Sequence, residues 1–235
     1  MSGLKFTPDL EAEKERVAVR AVQEIEAGMV IGLGTGSTAV YAVREVGRRV
    51  AEGLKITGTA TSKATELLAV SLGIPMTPFD GLSRVDLTID GADDLDPQLR
   101  AIKGAGGAFL REKIIASASD REIVIVDSSK PDATLGRAPL PVEVLPFAAT
   151  FVARELRKLN IPVRLRFGTD GKIFLTDQGA YIYDLFFDII ANAEHLADQL
   201  AGIPGLIEHG LFLDQIDMAI IADGDAVRIA RRTVT

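Results

Sequence analysis

From Leu10 to Asp127 the chain alternates helix-spaced and strand-like apolar segments, each closed by glycine or a polar turn. Such alternation points to a mostly parallel sheet, because parallel strands need crossovers and the crossovers are helices. Leu10, Val17, Ala21 and Ile25 recur at helical spacing, with Thr7 placed to cap that helix, Pro8 at its first position and Gly28 beyond its end. Met29-Val30-Ile31 reads as a buried strand running into GLGTGST, followed by a helix from about Ala39 to Glu52 that Gly53 ends. KITGTAT is the next strand and Ser62 to Leu72 the next helix, closed by Gly73. Strands are expected at Ile74 to Phe79 and Val85 to Asp90, a helix at Ala108 to Ala118, and a strand at Glu122 to Asp127. In such sheets ligands sit beyond the carboxyl ends of the strands. The loops Gly32 to Thr38, Asp90 to Asp96 and Asp127 to Lys130 all fall there.

After Lys130 the texture changes. Pro131, Pro139, Pro141 and Pro146 punctuate a non-helical passage, and a helix is expected around Phe147 to Leu159. PVRLRF and KIFLT flank GTDG and read as a hairpin, with a further helix near Ile189 to Leu200. DMAIIADGDAVRIARR reads as two strands around a DGD turn, returning to the first unit. The expected fold class is α/β: a mostly parallel sheet domain from residues 1–135 and 209–235, and a smaller α+β domain from 136–208.

Composition limits the function. The 235 residues are 47% hydrophobic and 25% charged, enough for a full core. No cysteine is present, which removes thiol nucleophiles and thiolate metal sites. Only His195 and His209 remain for imidazole chemistry, and both read as surface or interface residues. A net charge of −7 without a basic stripe argues against nucleic acid. No apolar run is long enough to cross a bilayer, and the first residues are too acidic for a secretory signal. A cytoplasmic protein handling a small molecule is expected.

GLGTGST presents backbone N–H groups and a helix N-terminus to an anion. It is not a dinucleotide fingerprint, whose third glycine would fall on Ser37, nor a P-loop, which needs Gly-Lys. Thr35, Gly36, Ser37 and Thr38 suit a lone phosphate or sugar hydroxyls; the plainer reading is a tight strand-to-helix turn. DLTIDGADDLD packs five aspartates into eleven residues. Asp90 and Asp93 end a strand, where carboxylates bind a polyol or move protons, whereas Asp94 and Asp96 read as a solvated, helix-capping turn. KGAGGAFLREK brings Lys103 and the N–H groups of Gly104 to Gly107, suited to stabilising an oxyanion. Glu112 shares a helical face with Ala108 and Ile115, where burial would raise its pKa as a general base needs. The plainer alternative is that Arg111-Glu112-Lys113 is a solvated charge run. Lys130, after the EIVIVD strand, aims an ammonium at the same sheet edge.

GTGST, DGAD, KGAGGAFLREKI and DSSK occur together with PLPVEV (Pro139 to Val144) and GLF (Gly210 to Phe212). In this order and spacing the chain resembles the type A ribose-5-phosphate isomerases over nearly its whole length. The resemblance implies a Rossmann-like domain with a smaller ferredoxin-like one, a homodimer or homotetramer, and no metal or organic cofactor. It implies interconversion of D-ribose 5-phosphate and D-ribulose 5-phosphate, with Glu112 as general base. Substrate would be held by Thr35 to Thr38, by Asp90, Gly91, Ala92 and Asp93, by Lys103, Gly104, Ala105 and Gly106, and by Lys130. Lys14 aligns with a lysine near the phosphate. Ala105 interrupts the family's glycine run, which matters only if that residue needs positive φ. Asp90 or Asp93 would assist ring opening and Lys103 would stabilise an enediolate. A sugar-phosphate sensor without turnover is the alternative, expected to carry an N-terminal helix-turn-helix; a coenzyme A transferase with a covalent glutamate is another. The single helix before the first strand and the ordered sugar-phosphate motifs argue against these.

Overall fold

The computed structural model describes residues 9–131 and 133–232, so Thr7 and Pro8 lie outside the described residues. Helix α1 (Leu10–Val22) is capped by Asp9, whose carboxylate accepts from the Ala12 N–H. The chain continues through β1 (Val30–Leu33), α2 (Ala39–Ala51), β2 (Thr57–Ala60), α3 (Lys63–Ser71), β3 (Leu87–Gly91) and the short β4 (Asp94–Leu95) and β5 (Ala101–Ile102). Next come α4 (Phe109–Ser117), β6 (Glu122–Val126), β7 (Leu140–Val144), α5 (Ala149–Arg157), β8 (Val163–Leu165) and β9 (Tyr181–Leu185). Last are α6 (Ala193–Ala201), β10 (Leu206–His209), β11 (Leu211–Phe212), β12 (Met218–Asp223) and β13 (Ala226–Arg231).

Six strands in the order β13-β12-β6-β3-β1-β2 form the main sheet, parallel except for the β12–β13 hairpin. Its central strands bury Ile31, Ile89, Ile123, Ile125 and Ile220, as a sheet covered on both faces requires. On one face Val17 of α1 and Val43 and Val46 of α2 join Leu87, Ile89, Ile123 and Ile125 in one cluster. On the other, Phe109 and Ala116 of α4 cluster with Val124 and Val126. A second, antiparallel sheet, β10-β7-β9-β8, packs with α5 and α6 around Val142, Val144, Leu156 and Leu196. The ribbon β11-β5-β4 joins the two cores, placing Ile102 and Leu211 in one and Ala101 and Phe212 in the other.

Two expected strands fail. Ile74 to Phe79 makes a single bridge, Gly58 to Met76, because Pro75 and Pro78 flank it and have no N–H to give a ladder. The GTDG turn forms, but KIFLT contributes only the bridge Phe167 to Ile173 before Thr176 turns away to hydrogen-bond the buried Glu143. The true partner of β8 is β9, a strand the sequence reading left out. The helices expected near 147 and 189 begin later, after a 3-10 turn at Pro146–Ala148 and at the Asn192 cap. Among the described residues no helix is long and apolar enough to cross a membrane.

Candidate active site

β1 leads into the loop Gly34 to Thr38, laid directly on the end of β3. A Cβ at Gly34 would sit 2.2 Å from Asp90 Oδ1, so only glycine permits that approach. Asp90 Oδ1 accepts the N–H groups of Thr35 (3.0 Å) and Gly91 (2.7 Å). The Thr35 hydroxyl meets those of Thr61 (2.7 Å), Ser62 (2.8 Å) and Thr65 (3.0 Å), and Thr65 donates to the Gly34 carbonyl. Sequence reasoning missed this hydroxyl cluster. Its only signal was the run TATSKAT at the end of the KITGTAT strand.

Lys103 follows β5, its N–H donating to the Gly210 carbonyl. Its side chain is 2% exposed, and its ammonium reaches the Gly91 carbonyl (2.7 Å), Asp90 (2.7 Å) and Glu112 (3.5 Å), with the Phe212 ring centroid at 5.0 Å. Burial alone would lower the Lys103 pKa, but the carboxylates of Asp90, Glu112 and Glu122 outweigh it and hold the ammonium charged. Glu112 lies on the buried face of α4 with Phe109, Ile115 and Ala116, 4% exposed rather than in a solvated charge run. Burial, then the negative charge of Asp90, pushes its carboxyl up to about 8 against the pull of Lys103. Burial also raises Asp90, with Lys103 and the two N–H donors opposing.

A cavity of about 220 Å³ opens over this cluster, lined by Thr35, Gly36, Ser37, Thr38, Gly91, Ala92, Asp93, Lys103, Gly104, Ala105, Gly106, Glu112 and Lys130. Of the residues expected to hold or convert substrate, Asp90 lies beneath this wall, 1% exposed, and Gly107, expected among the oxyanion N–H groups, lies off it. Asp93 stays half-buried and accepts the Ala105 N–H at 2.8 Å. A roomier hollow of about 360 Å³, between α3 and α4, holds none of these groups. Ala105 carries no strain, since the positive-φ non-glycine residues among those described are Leu99 and Asn160.

Other expectations are corrected. Asp94 and Asp96 are buried, not solvated: Asp94 accepts the N–H groups of Gly136 and Arg137, and Asp96 those of Gln98 and Arg100 plus the Arg100 guanidinium. Lys14 is not on the cavity wall and pairs with Glu11. His195 is exposed, but His209 is largely buried against Lys113, and burial lowers its pKa to about 4. Arg166, unmarked by any motif, reaches from beyond β8 to the carbonyls of Gly104 (2.9 Å) and Ala105 (3.1 Å), steadied by Asp184.

The family model for ribose 5-phosphate isomerase A (phosphoriboisomerase A) matches residues 57–226. The chain belongs to the ribose 5-phosphate isomerase A family. A relative of that name from Sphingopyxis alaskensis is 55% identical over 94% of this chain and 96% of its own length. The isomerase structure from Plasmodium falciparum superposes with a TM-score of 0.92 at 36% identity, covering 96% of this chain and all of its own. A D-ribose-5-phosphate isomerase solved in complex with phospho-erythronic acid gives 0.92 at 37% identity, over 95% of this chain and 100% of that one. The isomerase A family match begins after the GTGST loop and takes in the other three motifs.

Proposed function

We propose that this protein interconverts D-ribose 5-phosphate and D-ribulose 5-phosphate, with Glu112 carrying the proton between C2 and C1. The observation that carries the roles is the Glu112 carboxyl, desolvated yet open to the cavity, with the Lys103 ammonium 3.5 Å away. The phosphate brings a charge of about −1.5 to −2 to a protein of net charge −7, so attraction must be local. The N–H groups at the start of α2, from Gly36 to Thr38, and the Lys130 ammonium supply it.

Asp93, on the wall, moves the proton between ring oxygen and anomeric hydroxyl. Asp90 is less suited, since one oxygen holds two N–H groups and the other holds Lys103. Glu112 then removes the C2 proton of the open aldose, leaving an enediolate with its charge on O1. Lys103 and the loop N–H groups stabilise that charge. A proton passes from O2 to O1, and Glu112 returns its proton to C1, giving the ketose. The division into a catalytic unit and a smaller unit over 136–208, a homodimer or homotetramer, and a cytoplasmic location belong to the same reading.

Conversion of D-ribose 5-phosphate by purified protein in excess EDTA, with Glu112→Gln beside it, is the test. Metal-independent turnover is expected, falling roughly 10²–10⁴-fold in the variant while the fold is kept. Binding without conversion in wild type would favour the sensor reading, and near-wild-type turnover in the variant would remove Glu112 as the base.

A further inference from the structure

Among the buried acids with no part in the steps above, one stands on the face of the sheet that carries Asp90. Glu122 opens β6 and is 1% exposed. Strand alternation sets its direction: Ile123 and Ile125 join the α1 and α2 cluster, while Val124 and Val126 join that of α4, so Glu122 faces α4. Its register partner on β3 is Thr88, and Asp90 stands one step further along the same face. α4 covers this face, since a Cβ at Gly32 would strike both Thr88 and Ile115. Asp90 from β3 and Glu112 from α4 pair with one cation, Lys103, while Glu122 from β6 lies below Asp90 on the same face, beyond ion-pair distance of Lys103, and Asp217 before β12 accepts the Glu122 N–H at 2.7 Å.

Their partners are unequal. Asp90 has an ion pair at 2.7 Å and two N–H donors; Glu112 has Lys103 at 3.5 Å and the open cavity. Glu122 Oε2 has no donor among the described residues. Three buried negative charges around one positive charge leave an uncompensated excess, which low-dielectric surroundings penalise heavily. The proton belongs on the acid that no donor stabilises as an anion.

We propose that Glu122 is a positioning residue of this site, a buried un-ionised acid whose retained proton leaves the field of Lys103 to Asp90 and Glu112 alone. The inference rests on the isomerase reading. Burial above all, with Asp90, Glu112 and Asp217 adding to it against Lys103, pushes the Glu122 carboxyl up in the same sense. Its ionisation would put a further negative charge beneath the developing enediolate, so turnover falls where it titrates.

Infrared spectra of the protein carrying ¹³C-labelled glutamate, at pH about 9 where Glu112 has ionised, test this directly. The carbonyl stretch of an un-ionised glutamic acid is expected in wild type and lost in Glu122→Gln. An alkaline fall of kcat/KM is expected in wild type and absent from the variant, leaving it several-fold the faster at high pH. No such band in wild type overturns the proposal. So does a downward shift of the acid limb in Glu122→Gln, which would mean that Glu122 carries charge in the resting protein. If Glu122→Gln does not fold, Glu122→Asp, which keeps an acid there but carries no labelled glutamate, decides by loss of the ¹³C band, since the buried Glu143 would keep its own. Should the protein fail to convert the sugar phosphate, the band still reports on Glu122, and only the isomerase reading falls.

Discussion

The two glycine-rich loops that wall the cavity are alike in composition and unlike in what holds them. Gly34 to Thr38 rests on its own sheet: Asp90 takes the Thr35 N–H, and three hydroxyls from the end of β2 into the first turn of α3 hold the Thr35 side chain. Lys103 to Gly107 is held from outside. The Gly210 carbonyl fixes Lys103, Arg166 fixes the next two carbonyls, and Pro141 and Phe109 pack under Gly104 at a φ of +113°. One loop is a property of the main sheet; the other is a property of the junction between two sheets. The proposed phosphate grip belongs to the first, the proposed proton chemistry to the second.

That contrast is easiest to break at Gly104. Gly104→Ala is expected to destabilise by about 3 kcal/mol, since the new Cβ would lie 2.5 Å from Phe109 at an unfavourable φ. An unchanged denaturation midpoint would mean that the junction gives way freely. Next in size, Arg166→Met should lower kcat roughly tenfold with KM little moved, because it loosens the loop beside Lys103. Thr35→Val should mainly raise KM, by a few-fold, through the other loop. If both variants move the same constant, the division of labour is wrong.

The pH dependence sharpens the second loop's side. With its carboxyl pushed up to about 8, Glu112 must lose its proton to act as a base, so kcat/KM should rise with pH through about 8 before the alkaline fall assigned to Glu122. Between 4.5 and about 8 the folded protein keeps a proton that the unfolded chain has released. Stability should therefore fall as pH rises through that window, and Glu112→Gln should flatten the fall by on the order of 2 kcal/mol in urea titrations. The smallest effect is assigned to Lys14. Paired with Glu11 and off the cavity wall, Lys14→Ala should change kcat/KM less than about twofold.

The same division explains what was legible in the sequence. The main sheet announces itself because its apolar runs, helix periods and closing glycines are local signals, and every motif loop lies at a strand end for the same reason. Helical spacing offers Glu112 a place on a buried face but leaves a solvated charge run equally open, and only the packing of α4 decides between them. Asp94 and Asp96 could not be read correctly, because the N–H groups that bury Asp94 come from residues 136 and 137, across a change of sheet. Arg166 had no motif, being one arginine in a β-rich stretch whose target is reached only through tertiary structure. Ile74 to Phe79 looked like a strand by hydrophobicity while two prolines withheld the donors.

Finally, β12 lies between β6 and β13, and Gly210 and Phe212 frame Lys103, all from the stretch 210–231. A ribosome delivers that stretch after everything it completes. Until it emerges, β6 stands as an apolar sheet edge open to pairing with another chain, and the buried lysine lacks its backbone partner. The growing polypeptide thus carries an apolar strand unprotected from the time β6 is made until β12 follows it. It becomes safe and competent in the same late moment, when one returning segment closes the sheet and seats the lysine together.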